Sequence, residues 1–283
     1  MASYNHMRVR VGQIRYINVL PIYYGFNQDL MPSYIQLISE SPSHLNQMMA
    51  DGSIDISPIS SFAFAQHQHE WLIFPDLSIS CCGPVMSVIL VSHVPLEDLN
   101  NKIIALSEES ATAAGLLMLL LSRQHIFPTY ESKQFHIIEE IQSHIDAALV
   151  IGDSALKENW KKRFPYIYDL GAMWYNRTHL PFVFAIWVVR KTFFEQYPEY
   201  VAKIQAFFNQ SKKMGIKNIH HISKDAALKL GIDHQLCKDY YDHFSFDLFD
   251  IHMKGLMAFY DGLHQEGIIP EKTNLQFVVN HEL

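Results

Sequence analysis

The chain has 283 residues, with 22 Lys and Arg against 29 Asp and Glu for a formal charge of −7, and 49% of its residues are hydrophobic. That composition supplies a large core, and 18% charged with 13% aromatic residues argues against disorder. The negative balance disfavours a general binder of nucleic acid or anionic membrane, which leaves a protein acting on small molecules as the starting class.

At ~100 to 200 residues per domain, the length predicts one large domain or two lobes. Met1 to Arg10 carries arginines without the apolar run of ~7 to 15 residues that a secretory leader needs. The longest apolar stretch, Ala113 to Leu121, falls well short of the ~20 residues that cross a bilayer. A cytoplasmic protein is the expectation. Cys81, Cys82 and Cys237 form no CxxC pair, so buried thiols in a reducing compartment are predicted.

The first β-rich run, Val9 to Ile14, ends at Arg15-Tyr16-Ile17-Asn18-Val19-Leu20-Pro21. A strand-to-helix junction there lets the Asn18 amide meet a ligand at the exposed end of a buried strand, or lets it cap the helix that Pro21 helps to start. After Ile35 to Ser39, Ser41-Pro42 opens a helix carrying Leu45, Met48 and Met49, and Gly52 closes it before Ile54 to Ile59. His67-Gln68-His69, like His220-His221 later, lacks the spacing of a metal site.

Gly83-Pro84-Val85-Met86 leads into the strand Ser87 to Ser92. This places Ser87 at a cleft floor, where its hydroxyl holds a substrate oxygen or satisfies backbone groups at a strand start. No GxSxG elbow surrounds it. Past Ile103 to Leu106, Ser110-Ala111-Thr112-Ala113-Ala114-Gly115 opens a helix whose free amides suit an anion, an ordinary N-cap being the competing reading. Ala147 to Ile151 leads into Gly152-Asp153-Ser154-Ala155, a second such junction, with Asp153 as a cap or hinge contact.

Phe182 to Val189 is the last strongly apolar strand. A helix with Val201, Ile204, Phe207 and Phe208 on one face runs from Pro198 to a stop at Gly215. Tyr240, Tyr241, Phe244, Phe246 and Phe249 read as packing. Leu248, Ile251, Gly255, Phe259 and Leu263 mark a long amphipathic helix from Asp247 to near Gly267. Alternating strands and helices without repeats or linkers define an α/β fold. Absence of GxGxxG and GxxxxGK[ST] disfavours nucleotide cofactors. With Ser87 to Ser92 and Phe182 to Val189 as crossover strands, one lobe is predicted from residues 1–90 plus 187–283 and the other from 91–186, with the chemistry in the cleft between them.

An ordered series of segments carries a family resemblance. Val11-Gly12, Tyr16-Ile17-Asn18 and Leu20-Pro21 are followed by Asp51-Gly52-Ser53-Ile54-Asp55-Ile56, Gly83-Pro84-Val85-Met86-Ser87-Val88 and Val94-Pro95-Leu96. Then come Asp146 to Leu156, Tyr168-Asp169-Leu170-Gly171 and Leu180-Pro181-Phe182-Val183-Phe184-Ala185-Ile186-Trp187. Over nearly the whole chain this resembles the chorismate dehydratases of the futalosine route to menaquinone.

The resemblance implies a two-lobed, periplasmic-binding-protein-like (type 2) fold used in the cytoplasm for catalysis. It implies loss of water from the dianion chorismate, giving 3-[(1-carboxyvinyl)oxy]benzoate, with no metal or organic cofactor. Asn18 and Ser87 are the catalytic candidates. Ser61, Thr112, Ala113, Gly152 and Asp153 are the substrate-binding candidates, and a homodimer is a candidate assembly. Arg15 stands where the family usually has a small polar residue, Ile17 replaces Leu, and Ser60 occupies the proline position of an Ile-Pro-Ser turn. A non-catalytic binder of a cyclic carboxylate and an enzyme for another futalosine-type substrate are the alternatives.

Overall fold

The fold is given by a computed structural model that describes residues 7–27, 30–133 and 137–279. Strand β1 (Val9–Ile14) pairs in parallel with β2 (Ile35–Glu40). Helix α1 (Pro42–Ala50), capped by the Ser41 hydroxyl with proline in its first turn, leads to β3 (Ile56–Ser60), α2 (Ser61–His67) and β4 (Trp71–Cys81). The chain then builds β5 (Val88–Ser92), β6 (Ile103–Ser107), α3 (Ala111–Ser122), β7 (Thr129–Lys133), β8 (Ala147–Ile151), α4 (Asp153–Lys157), β9 (Tyr166–Asp169) and α5 (Leu170–Thr178). It ends with β10 (Phe182–Arg190), α6 (Lys191–Gln196), α7 (Pro198–Lys217), α8 (Ile219–Leu230), α9 (His234–Asp242), β11 (Phe244–Ser245) and α10 (Asp250–Gln265).

Two mixed sheets result, one ordered β11-β4-β10-β3-β1-β2 and the other β7-β6-β8-β5-β9. Their central strands β3, β5 and β8 are buried at every position, which is why β5 and β8 are nearly unbroken apolar runs rather than alternating ones, while β3 buries Ser57 and Ser60 among its apolar residues. Helix α3 is apolar all round because α2, α5 and α10 pack against it as well as the sheets.

The strands expected to cross between lobes do not cross. Phe182–Arg190 pairs along its length with β3 and β4, so residues 182–186 belong with the first sheet and not the second. Val88–Ser92 pairs only with β8 and β9, so residues 88–90 belong with the second sheet. The chain passes between the sheets through 82–87 and 179–181, outside the strands themselves. Helix α7 likewise runs through Gly215 to Lys217, because a side chain there would meet the Pro21 carbonyl oxygen at 1.9 Å. Here glycine marks close packing of a helix interior on backbone and not a helix end.

A buried ion cluster ties the first sheet together. Asp55, 3% exposed, accepts from Arg10 Nη2 at 2.6 Å, from the Arg10 amide at 2.9 Å and from Arg190 Nη2 at 2.7 Å. It thus joins β1 and β10 just before β3. Burial works against its charge, but the Arg10 and Arg190 bonds outweigh that and hold the carboxyl below its ordinary value. The contribution is therefore present above pH ~4 and lost as the pH falls toward the lowered value. Asp55→Asn should lower the unfolding free energy at pH 7 by about 3 kcal/mol, and should flatten the loss of stability between pH ~5 and ~3, as read from urea midpoints.

Candidate functional site

Between the sheets lies a cavity of about 60 Å³. Strand ends supply its walls: Ile14 from β1, Ser60 from β3 and Ile151 from β8, with Phe184 and Ala185 entering from β10. These carboxyl ends of parallel strands are where open α/β sheets present ligands.

Asn18 lines the cavity from a short 3-10 turn, Ile17–Val19, that follows β1. It is not the cap of that turn; Tyr16 holds the cap position and makes no side-chain capping bond. Instead its Oδ1 is buried with no hydrogen-bond partner among the described residues. A buried amide oxygen left unpaired costs ~1 to 3 kcal/mol, so this atom is available to a ligand donor.

Ser87, 3% exposed, lines the same cavity. Its hydroxyl oxygen accepts from Tyr240 Oη at 3.0 Å, its amide donates to the Val85 carbonyl at 2.7 Å, and its carbonyl accepts from the Gly152 amide at 2.8 Å. The preceding residue, Met86, has φ +62°, a left-handed conformation that strains a residue with a side chain. Asp169 holds it there. Its carboxylate accepts from the Val85 amide at 3.0 Å and the Met86 amide at 2.7 Å while also capping α5.

The binding candidates divide. Gly152 lines the cavity. Ser61 does not: its hydroxyl donates to the Val183 carbonyl at 2.7 Å, and the neighbouring Ser60 faces the cavity instead, capping α2 and bonding Asn46. The cap, and not the first helical residue, is the position that projects from the strand end. Thr112 is also a correction, since its Oγ1 is used in accepting the Phe62 amide at 2.9 Å and lies outside the lining. Ala113 is buried and its amide is bonded by the Ser110 hydroxyl at 3.2 Å. Ser110 itself, the cap of α3, lines the cavity, so the positive end of that helix is present through its cap. Asp153 lies outside the lining and accepts from the Ile17 amide at 3.2 Å. Burial raises its pKa, partly offset by the Ile17 bond.

Hydrogen bonds that join the lobes include Phe62 to Thr112, Ile17 to Asp153 and the Tyr16 phenol to the Glu109 carboxylate, and Ser122 and Arg123 bond Glu266 and Gln265 at the far end of α3. Burial, then Glu109, drives the Tyr16 pKa up and keeps the phenol a donor. Sequence reading missed Glu109 and Ser110 as cleft residues. Glu109 offers no local signal, because its partner is 93 positions away. Among the described residues, no group of three or more His, Cys, Asp or Glu could hold a metal ion.

The two lobes and the cavity between them define a solute-binding-protein fold. The alkanesulfonate-binding protein SsuA from Xanthomonas axonopodis pv. citri has a TM-score of 0.68 with this chain at 15% identity, covering 94% of this chain and 95% of that one. Sequence similarity is more specific. The Menaquinone biosynthesis family model matches residues 9–265, and the chain belongs to that family. It is similar to the chorismate dehydratase of Thermus thermophilus, 30% identical over 268 residues spanning 89% of this chain and 94% of that protein. The chorismate dehydratase of Campylobacter jejuni is 29% identical over 224 residues, 74% of this chain and 85% of that one.

One close approach at the cavity depends on a missing side chain. Gly152 has φ +65°, and a Cβ there would come within 2.7 Å of the Tyr16 ring. Gly231 has a similar φ of +69° with nothing within 4 Å of a Cβ. Gly231→Ala should therefore cost about 1 kcal/mol from backbone strain alone. Gly152→Ala should cost about 2 kcal/mol more and expand the protein in small-angle scattering as Tyr16 is displaced. Equal losses in thermal melts would contradict this role of the Tyr16 contact.

Proposed function

We propose that the chain removes water from chorismate to give 3-[(1-carboxyvinyl)oxy]benzoate, a step of menaquinone biosynthesis. The observation that carries the reading is Asn18, with its unpartnered buried amide oxygen, facing one cavity with Ser87 in a member of this family.

The chemistry asks for positioning more than for strong acids or bases, because the ring is one elimination from aromaticity. Loss of the C3 proton places charge in conjugation with the ring carboxylate. The C4–O bond then breaks, and the new C3–C4 double bond completes the benzene ring. Among the described residues Tyr16 is the one titratable side chain in the lining, and its phenol is engaged with Glu109. We assign the proton to the substrate's own enolpyruvyl carboxylate, which passes it to the departing hydroxide, so that water leaves and the enzyme is unchanged.

Ser87 donates to the developing charge, and the Asn18 amide oxygen accepts from the C4 hydroxyl and orients it. A preorganised donor of this kind contributes on the order of 3 kcal/mol. The capped end of α3 and the Gly152 turn supply dipoles for a carboxylate without a cationic side chain in the lining. The interlobe bonds exclude water during the reaction. This reading places the protein in the cytoplasm, and among the described residues no helix is long and apolar enough to cross a membrane.

The test is incubation with chorismate, followed by ultraviolet absorbance and mass spectrometry for the loss of water. Turnover is expected; binding without turnover would favour a non-catalytic carboxylate binder. Asn18→Ala and Ser87→Ala should each lower kcat/KM about 100-fold with little change in melting temperature. Unchanged kcat/KM in both would remove these side chains from the mechanism.

A further inference from the structure

Two consecutive tyrosines in α9 stand behind the site without lining it. Tyr240 is wholly buried and its phenol donates to Ser87 Oγ at 3.0 Å. Tyr241, 3% exposed, donates to the Ile17 carbonyl at 2.6 Å, in the turn that carries Asn18. Burial raises both phenol pKa values, so each hydroxyl keeps its proton and remains a donor.

The consequence follows from donor arithmetic. A serine hydroxyl has one proton to give and two lone pairs. With Tyr240 donating to the Ser87 oxygen, the Ser87 proton is released from that partner and can be given to a substrate oxygen in the cavity. On the other side, the bond to the Ile17 carbonyl fixes the peptide that joins Ile17 to Asn18. That carbonyl and the Ile17 amide, which donates to Asp153, pin both ends of the residue preceding Asn18. Neighbouring residues on one helix turn thus reach the two groups that face the ligand, from the side opposite to it.

We propose that Tyr240 and Tyr241 are positioning residues: Tyr240 sets the direction in which Ser87 donates, and Tyr241 sets the turn that presents Asn18. The proposal rests on the dehydratase reading for its rates, but the geometry it predicts can be read without turnover. It assigns to α9 a function that its aromatic composition alone does not reveal. Aromatic residues at helical spacing are expected to be packing, and the rings do pack: Tyr240 lies edge-on to Phe244 at 4.9 Å. The hydroxyls carry the additional role.

The test combines Tyr240→Phe, Tyr241→Phe and Ser87→Ala, singly and paired, with chorismate turnover, thermal melts and crystal structures. Tyr240→Phe should lower kcat ~10-fold with KM within about 2-fold, because misdirected groups slow the reaction more than they weaken binding. The Tyr240→Phe and Ser87→Ala pair should be no slower than Ser87→Ala alone, since the phenol acts only through that hydroxyl. Tyr241→Phe should slow turnover by a similar factor and multiply with Ser87→Ala. In crystals of Tyr240→Phe, the Ser87 hydroxyl should occupy a different rotamer, a readout that stands even if the parent fails to consume chorismate. Such a failure would refute the proposed activity separately. Full activity in either tyrosine variant, multiplying effects of Tyr240→Phe and Ser87→Ala, or an unchanged Ser87 rotamer would overturn the proposal. So would a Tyr240→Phe chain that does not fold while Ser87→Ala, which breaks the same bond, does.

Discussion

At the cavity, the approach of the two lobes is limited where the Tyr16 ring lies on a residue that has no side chain. Gly152 ends β8 with a positive φ, and its bare α-carbon lets the ring approach while its amide bonds the Ser87 carbonyl. Tyr16 reaches Glu109 across that contact, Ile17 reaches Asp153 beside it, and Asn18 follows on the same turn. The approach there is therefore limited by van der Waals contact, which has a sharper distance dependence than the attraction of charges. A cavity bounded in this way holds its polar groups at fixed positions before a ligand arrives.

Preorganisation of that kind suits a doubly negative ligand in a protein that is itself negatively charged. An arginine or lysine in the cavity would bind substrate and product alike, since both keep their carboxylates. Uniform binding of this sort does not raise kcat. Neutral donors, aimed where charge appears during the elimination, distinguish the transition state from the states on either side. The strain at Met86, held by Asp169, and the phenols of α9 are the structural cost of keeping those donors aimed.

Much of the fold was legible in the sequence because its central strands are apolar runs with breaks between them. β1, β8 and β10 fall within a residue of where pattern places them. Strand β4 carries no clean pattern, since Pro75 and Asp76 interrupt it; there the strand departs from even pairing with β10, and Asp76 takes φ +63°. The crossovers were misplaced for a related reason. Hydrophobicity reports that a strand is buried, not which sheet buries it.

At the site, Asn18, Ser87 and Gly152 were legible from junction chemistry, whereas Ser61 and Thr112 were not where that chemistry put them. Each sits one or two residues past a helix cap, and their hydroxyls are used by Val183 and Phe62 respectively. Small polar residues around a helix start look alike in sequence, and only the cap faces outward from the strand end. Glu109, Tyr240 and Tyr241 depend on partners far away in the chain, a relation that local pattern does not encode.

The central claim is that dipoles and the substrate itself do the work, with no titrating side chain in the reaction. The pH dependence of kcat tests it most directly. Because chorismate's carboxylates stay ionised and the Tyr16 phenol stays protonated, kcat should be constant from pH ~6 to ~9. A bell or a limb within that interval, abolished by replacing one carboxylate or histidine, would show a side-chain acid or base at work and contradict the account.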